Sequence, residues 1–130
     1  MGTVVLDSSV LLALLDPNDA HHAAARAAYH PKGSRHLIST SVLAEVLVGA
    51  SRLGERAVAE AESRIQTLVD DVADINRDVA RAAAAIRAKH PSVRLPDAFV
   101  LATGVVYDAD VVLTADRKMV AADKRVRVIG

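Results

Sequence analysis

The feature that most constrains the fold is the stretch of residues 94–116, in which an apolar helix and an apolar strand follow each other. Pro96-Asp97 suits the first turn of a helix, because proline loses no needed N–H there and an acid complements the helix dipole. Residues 98–106 have no clear polar face, so they predict a helix that is buried all round. Residues 111–114 then predict a strand covered on both faces, and Asp116 lies just past its end.

The rest of the chain alternates short apolar strands with helices. This alternation is typical of a parallel sheet with helices on both faces. The sequence therefore predicts one α/β domain over residues 1–130, a three-layer α/β/α arrangement around a central parallel sheet of four to five strands. The other predicted strands cover residues 3–6, 36–39, 71–75 and 126–129. Among the other predicted helices, the first follows a cap at Ser8-Ser9, and four more cover residues 20–29, 40–53, 55–69 and 77–90. A further short helix is predicted at 118–122.

Composition limits the classes of function. Hydrophobic residues make up 52% and charged residues 25%, which indicates a folded globular chain. The 16 basic and 16 acidic side chains cancel, so any nucleic-acid binding has to use a local basic patch. The absence of cysteine excludes disulfides and thiolate metal sites. Because no signal peptide or membrane-spanning run is present, we expect a cytoplasmic protein that does not enter a membrane.

Four acids lie at the edges of apolar segments. Asp7 follows the first strand, Asp97 begins the apolar helix and Asp116 ends the late strand, while Glu45 lies within an apolar helix where a charge without a partner is costly. Taken singly, the four could be a turn residue, a capping acid, a loop acid and an exposed helix acid. Since sites in parallel sheets form beyond the carboxyl ends of the strands, we interpret them together as one shared site.

A shared site of four acids requires protons or a cation. Two carboxylates about 4 Å apart repel by roughly 4 kcal/mol at the effective dielectric of a partly buried site. Oxygen ligands without thiolate or a histidine set suit a hard metal, so the sequence predicts Mg²⁺, with Mn²⁺ possible. Such metals serve phosphate chemistry.

The sequence resembles the PIN-domain family, and more narrowly the VapC-type ribonuclease toxins of toxin–antitoxin pairs. The matching motifs are VVLDSSV near the start, TSVLAEV in the middle, and RLPDAFVLAT and VVLTADRKM late in the chain. The resemblance implies a metal-dependent endoribonuclease whose catalytic and metal-binding acids are Asp7, Glu45, Asp97 and Asp116. It also implies an RNA substrate, a small VapB-type antitoxin as partner, and a homodimer.

Residues beside the acids receive supporting roles. Asp7, Asp97 and Asp116 would hold the metal, and Glu45 is either a further ligand or the residue that orients the attacking water. The resemblance places hydroxyl groups near the first and last acids, and here these would hydrogen-bond carboxylates or water. Two arginines next to the acids are candidates for binding substrate phosphate, whereas we interpret Lys118 as a solvated basic residue. The hydroxyl residues are Ser8, Ser9 and Thr114, and the arginines are Arg94 and Arg117.

Other functions fit the sequence less well. A receiver-type phosphorylation module would need a lysine at the end of a late strand, but Ala115 stands there. An aspartate-nucleophile phosphatase would need a second acid two residues after Asp7, but Ser9 occupies that position. A catalytically inert PIN-like interaction module and a DNA-directed nuclease both remain open alternatives.

Overall fold

The computed structural model of the protein describes residues 2–130 as a five-stranded, all-parallel sheet with helices packed around it. The predicted α/β architecture and the predicted number of strands are therefore confirmed. The strands are β1 (Thr3–Leu6), β2 (Arg35–Ser39), β3 (Asp71–Ala73), β4 (Val111–Thr114) and β5 (Val126–Val128). The helices are α1 (Ser8–Leu15), α2 (His22–Ala28), α3 (Thr40–Leu53), α4 (Glu55–Leu68), α5 (Arg77–Lys89) and α6 (Leu95–Val106), and a 3₁₀ helix covers Arg117–Ala122.

The order of the strands is β3-β2-β1-β4-β5, so the chain reverses its direction of travel across the sheet at β1. Within the sheet, Val5 of β1 is aligned with Leu37 of β2 on one side and with Val112 of β4 on the other. The carboxyl ends of β1 and β4 are consequently neighbours, although they lie far apart in sequence. This edge is the topological switch point at which open α/β sheets form their sites.

Helix α6 is the most deeply buried helix, as its apolar sequence predicts. Its residues from Ala98 to Gly104 are buried except for the half-buried Phe99. The one polar side chain in this group, Thr103, is satisfied because its hydroxyl donates to the Phe99 carbonyl oxygen at 2.8 Å. Gly104 lets the helix approach the sheet closely, since a Cβ built there would lie 2.8 Å from Cγ2 of Val112.

Three helices begin at residues whose side chains accept a hydrogen bond from the first turn. Ser39 caps α3 by accepting from the Val42 N–H, and Asn76 caps α5 as predicted. The cap of α1 is Asp7 and not Ser8-Ser9, so that prediction was wrong. Aspartate accepts from the first turn as serine would, and an acidic side chain at this end of a helix also complements the helix dipole.

Local patterns misled the prediction at two further helices. Helix α2 is shorter than predicted at its start, because Asp19 accepts from the His21 N–H in a turn instead of capping the helix. The helical spacing over residues 40–53 predicts Leu53 on one stripe with Val42 and Val46, which are buried, yet Leu53 is 82% exposed at the end of α3. The stripe is not buried along its whole length, because α3 packs mainly against α4 and less against the sheet.

None of the helices in residues 2–130 combines the length and the apolar character needed to cross a bilayer.

Candidate functional site

Asp7 stands directly after β1 and is 4% exposed. Its Oδ1 accepts from the Ser8 N–H at 2.8 Å, and its Oδ2 accepts from the hydroxyls of Ser9 at 3.1 Å and Thr114 at 2.7 Å. Three donors therefore hold a carboxylate that has almost no contact with bulk water, which makes its burial tolerable.

The same two hydroxyls tie Asp7 to the end of β4. The Ser9 hydroxyl accepts from the Ala115 N–H at 3.0 Å, and the Thr114 hydroxyl accepts from the Asp116 N–H at 3.0 Å. Each hydroxyl thus donates to Asp7 while it accepts from the backbone beside Asp116. The backbone after β4 is thereby fixed relative to the first acid, and the predicted proximity of Ser9 and Thr114 to a carboxylate is seen directly.

Glu45 projects from α3 toward the start of α1, where its Oε2 accepts from the Ser8 hydroxyl at 3.3 Å. The expectation that Glu45 is enclosed by apolar neighbours was wrong, because its side chain is exposed at the surface. Partial burial nevertheless raises the pKa of Glu45, and the negative charges of Asp7 and then Asp97 raise it further. Arg94 and the bond from Ser8 act in the opposite direction. Glu45 therefore belongs electrostatically to the same group as the other acids.

Asp97 lies in the first turn of α6 with its side chain 15% exposed. Burial is the largest cause that raises the pKa of Asp97, followed by the charge of Asp7 and, more weakly, that of Asp116. Arg94 lowers it, since the Nε of Arg94 lies 3.6 Å from Oδ2 of Asp97. On balance the pKa of Asp97 is raised, so ionisation of this carboxyl is less favourable in the folded protein than in water.

Asp116 caps the 3₁₀ helix, with its Oδ1 accepting from the Lys118 N–H at 2.9 Å. It also lines a small cavity together with Asp97, Arg94 and Lys118. Arg117, the second arginine suggested for phosphate binding, is exposed and is not one of the residues around this cavity, so its role stays a prediction.

The donor set of these acids suits a hard divalent cation. Within residues 2–130, no three acid or histidine side chains are arranged so that all of them could bind one metal ion directly. Mg²⁺ does not need such a cage, because it keeps several water ligands and commonly uses only one or two carboxylates. Burial and, after it, the charge of Asp7 raise the pKa values of Glu45 and Asp97, and a cation would offset that negative charge.

A family model described as PIN domain matches residues 4–125, which is nearly the whole chain. The chain belongs to the PIN domain family. No curated protein sequence gives a significant match. The family assignment therefore rests on the match to the family model, which agrees with the resemblance seen in the sequence.

Solved structures from toxin–antitoxin systems have the same fold. The VapC20 toxin of Mycobacterium tuberculosis, described as cleaving the sarcin–ricin loop, is 25% identical with a TM-score of 0.71, covering 92% of this chain and 94% of its own. A toxin–antitoxin complex from Klebsiella pneumoniae is 24% identical with a TM-score of 0.74, covering 96% of each chain. DNA-bound VapBC from Salmonella typhimurium is 17% identical with a TM-score of 0.70, covering 98% of each chain.

Sequence reasoning missed two features of this PIN domain. It did not anticipate that the backbone N–H groups of Ala115 and Asp116 would bind the hydroxyls that hold Asp7. It also set Lys118 aside as solvated, although Lys118 lines the cavity beside Asp116. The available signal was the spacing, since Lys118 follows the last acid by two residues at the start of a helical turn.

Proposed function

We propose that residues 1–130 form a single PIN-like nuclease domain, the toxin of a type II toxin–antitoxin pair, which hydrolyses RNA phosphodiester bonds with Mg²⁺ or Mn²⁺. The observation that carries the proposal is the gathering of acids from four separate elements. Ser8 donates to Asp7 through its N–H and to Glu45 through its hydroxyl, Thr114 joins Asp7 to the Asp116 N–H, and Asp97 and Asp116 line one cavity. Burial first, and the charge of Asp7 second, raise the pKa of both Glu45 and Asp97. A group of acids that repel one another is costly to fold and is therefore typical of a site that works with a bound cation.

Each acid has a distinct environment, which supports distinct roles. Asp7, Asp97 and Asp116 would hold the metal directly or through water, and Glu45 would be a ligand or would orient the attacking water. A divalent cation supplies positive charge that offsets the negative charge developing on the phosphate oxygens. Ser8, Ser9 and Thr114 keep the carboxylates in place through hydrogen bonds. Arg94 and Arg117 are the candidates for contacting substrate phosphates.

The similar toxin structures support RNA as the substrate and an antitoxin as the partner. One of them is described as cleaving the sarcin–ricin loop, and others are toxin–antitoxin complexes. Exposed apolar side chains on α1 and α3, Leu12 at 41% and Val48 at 48%, offer contact area for a partner helix. We propose that a VapB-type antitoxin binds the protein and that the protein forms a homodimer in the cytoplasm. Co-expression with the antitoxin from the neighbouring reading frame should therefore yield one co-purifying complex.

The test of the proposed activity is cleavage of a panel of labelled nucleic acids. The panel contains a sarcin–ricin loop fragment, structured transfer RNAs, a single-stranded RNA and a single-stranded DNA. Wild type is compared with Asp7→Ala in Mg²⁺, in Mn²⁺ and in chelator. Asp78→Ala is the matched control, because Asp78 is an exposed acid in the first turn of α5.

Cleavage of RNA that requires metal and Asp7, and that survives Asp78→Ala, is the expected result. Cleavage of the DNA alone would replace the proposal with a DNA-directed nuclease. No cleavage of any substrate, together with no effect of Mg²⁺ on the melting temperature, would favour the inert interaction module.

A further inference from the structure

A small cavity borders the carboxylate site, the group formed by Asp7, Glu45, Asp97 and Asp116. It lies between the turn before α6 and the 3₁₀ helix and has a volume of about 240 Å³. Drug-sized ligands occupy pockets of roughly 300–1,000 Å³, so this cavity suits a charged group more than a whole nucleotide.

Two acidic and two basic side chains line the cavity, and the bases are not tightly paired with the acids. Asp97 and Asp116 contribute two negative charges, and Arg94 and Lys118 contribute two positive charges. Lys118 has no ion pair among residues 2–130. Arg94 is paired with Asp97 at 3.6 Å, but its side chain is 78% exposed and is free to turn away. If the acids bind a cation, Arg94 loses its acidic partner as well, and both basic residues then line the cavity without an ion pair.

The position of Lys118 is fixed by the backbone. Its N–H donates to Oδ1 of Asp116 at 2.9 Å, which anchors the first turn of the 3₁₀ helix to the acid. This bond places the backbone of Lys118 close to the end of β4, where the residue lines the cavity. Ser92, on the opposite side in the turn before α6, adds a hydroxyl donor to the same cavity.

We propose that Lys118 and Arg94, with the hydroxyl of Ser92, bind a backbone phosphate of the RNA next to the phosphate that is cleaved. The inference rests on the proposed function, because only a metal held by the acids would release Arg94 from Asp97 and offset the negative charge beside Lys118. It revises the sequence-based preference for Arg117, whose side chain does not line the cavity. Basic side chains that contact phosphates position the strand without reading its sequence.

The test is the salt dependence of RNA binding. All proteins carry Glu45→Gln to prevent turnover, and binding is measured by fluorescence anisotropy in Mg²⁺. The probes are two labelled single-stranded RNAs, one all purine and one all pyrimidine. Lys118→Ala and Arg94→Ala are compared with the parent, with Lys118→Arg as the rescue variant and Arg117→Ala as the competing assignment. Lys124→Ala is the matched control, because Lys124 is exposed, lies before the amino end of β5 and does not line the cavity.

Each lost phosphate contact should reduce the slope of log affinity against log salt by about 0.7 for single strands. We expect this loss for Lys118→Ala and Arg94→Ala, equally on both RNAs, with the slope kept by Lys118→Arg and by Lys124→Ala. Unchanged melting temperatures show that the variants are folded.

Three results would overturn the inference: a parent-like slope for Lys118→Ala, an equal loss for Lys124→Ala, or no binding of either RNA by the parent. A loss confined to Arg117→Ala would assign the contact to Arg117 instead. The proposed function is judged separately by cleavage with the unmodified protein. A Lys118-specific loss without any cleavage would remove the nuclease proposal alone, whereas cleavage without that loss would remove this inference alone.

Discussion

Thr114 illustrates how much of the site depends on single atoms. Its hydroxyl is fully buried, donates to Asp7 and accepts from the Asp116 N–H. A methyl group of similar size would leave a carboxylate oxygen short of one donor and a backbone N–H without an acceptor. The side chain therefore stabilises both the fold and the spacing between two acids.

Thr114→Val should lower the free energy of unfolding by about 1–3 kcal/mol, the usual cost of leaving buried polar groups unpaired. It should also reduce RNA cleavage strongly. Thr114→Ser keeps the hydroxyl and should recover most of the cleavage while losing some methyl packing. Urea denaturation and cleavage rates of the two variants test this. Equal cleavage by both variants would mean that the hydroxyl does not position the acids.

Asp97→Asn should abolish cleavage yet raise the melting temperature of the metal-free protein. The pKa of Asp97 is raised in the folded state by burial and by Asp7, so ionising this group costs folding free energy. That cost is fully present above the raised pKa, shrinks as the pH falls through it, and disappears below the ordinary aspartate pKa of about 3.9. The advantage of the asparagine variant should therefore be largest near neutral pH and vanish in acid.

Asp78→Asn is the control for Asp97→Asn, because Asp78 also lies in the first turn of a helix but is exposed and does not contribute to the pKa shift of Glu45 or Asp97. Removing its charge should only weaken the interaction with the helix dipole, by about 0.3–1 kcal/mol. Calorimetry across pH in chelator distinguishes the two. A lower melting temperature for Asp97→Asn at neutral pH would show that the acids are not crowded.

At the scale of elements, α6 and β4 are held together by a close approach that only glycine permits. A Cβ at Gly104 would lie 2.8 Å from Cγ2 of Val112, and the branched side chain of a buried strand residue cannot move far. Since α6 carries Asp97 and β4 leads to Asp116, the approach also sets the distance between those acids.

Gly104→Ala should destabilise the protein by about 1–3 kcal/mol, because overpacking outweighs the gain in helix propensity. Gly49→Ala is the matched change, since Gly49 also lies inside a helix but has nothing within 4 Å of a built Cβ. That variant should be more stable by about 0.5–1 kcal/mol. Chemical denaturation of both measures the difference. Similar effects of the two substitutions would mean that α6 shifts freely on the sheet.

At the scale of the whole molecule, the like charges of the site acids lie beyond the carboxyl ends of β1 and β4. In the interior strand β2, by contrast, His36 is buried, stacks on Tyr29 with ring centroids 4.5 Å apart, and has its pKa lowered mainly by burial. Tyr29 donates to the Leu68 carbonyl oxygen at 2.8 Å. Ligand-dependent changes in global stability should therefore arise at the carboxylate edge.

Adding Mg²⁺ should raise the melting temperature of wild type and should have little effect on Asp97→Asn. A ligand at about 100 times its Kd stabilises the folded state by roughly 2.7 kcal/mol. Differential scanning fluorimetry with Mg²⁺, against NaCl at matched ionic strength, tests this. An equal rise in NaCl would show that general screening is responsible, and an equal rise in both proteins would place the cation elsewhere.

Comparison of sequence and structure shows which parts of the site were predictable. Asp7, Asp97 and Asp116 could be selected because each lies at an end of an apolar run, and such runs become buried elements in any parallel sheet. Glu45 was harder to select from the sequence, because the argument for it assumed a buried charge and the residue is exposed in the structure. The family resemblance supports its assignment independently of burial. The hydroxyl partners were predictable by type, but their individual bonds were not.

The sequence by itself determined the α/β class, the parallel sheet and most element boundaries, because hydrophobic periodicity and capping residues act over a few neighbouring positions. Only the tertiary structure decided that Thr114 meets Asp7, across 107 positions of sequence, and that Lys118 shares a cavity with Arg94. It also decided that Leu53 is exposed and that Gly104 touches β4. Those contacts depend on how strands are ordered and how closely helices approach the sheet, and local patterns do not encode such distances.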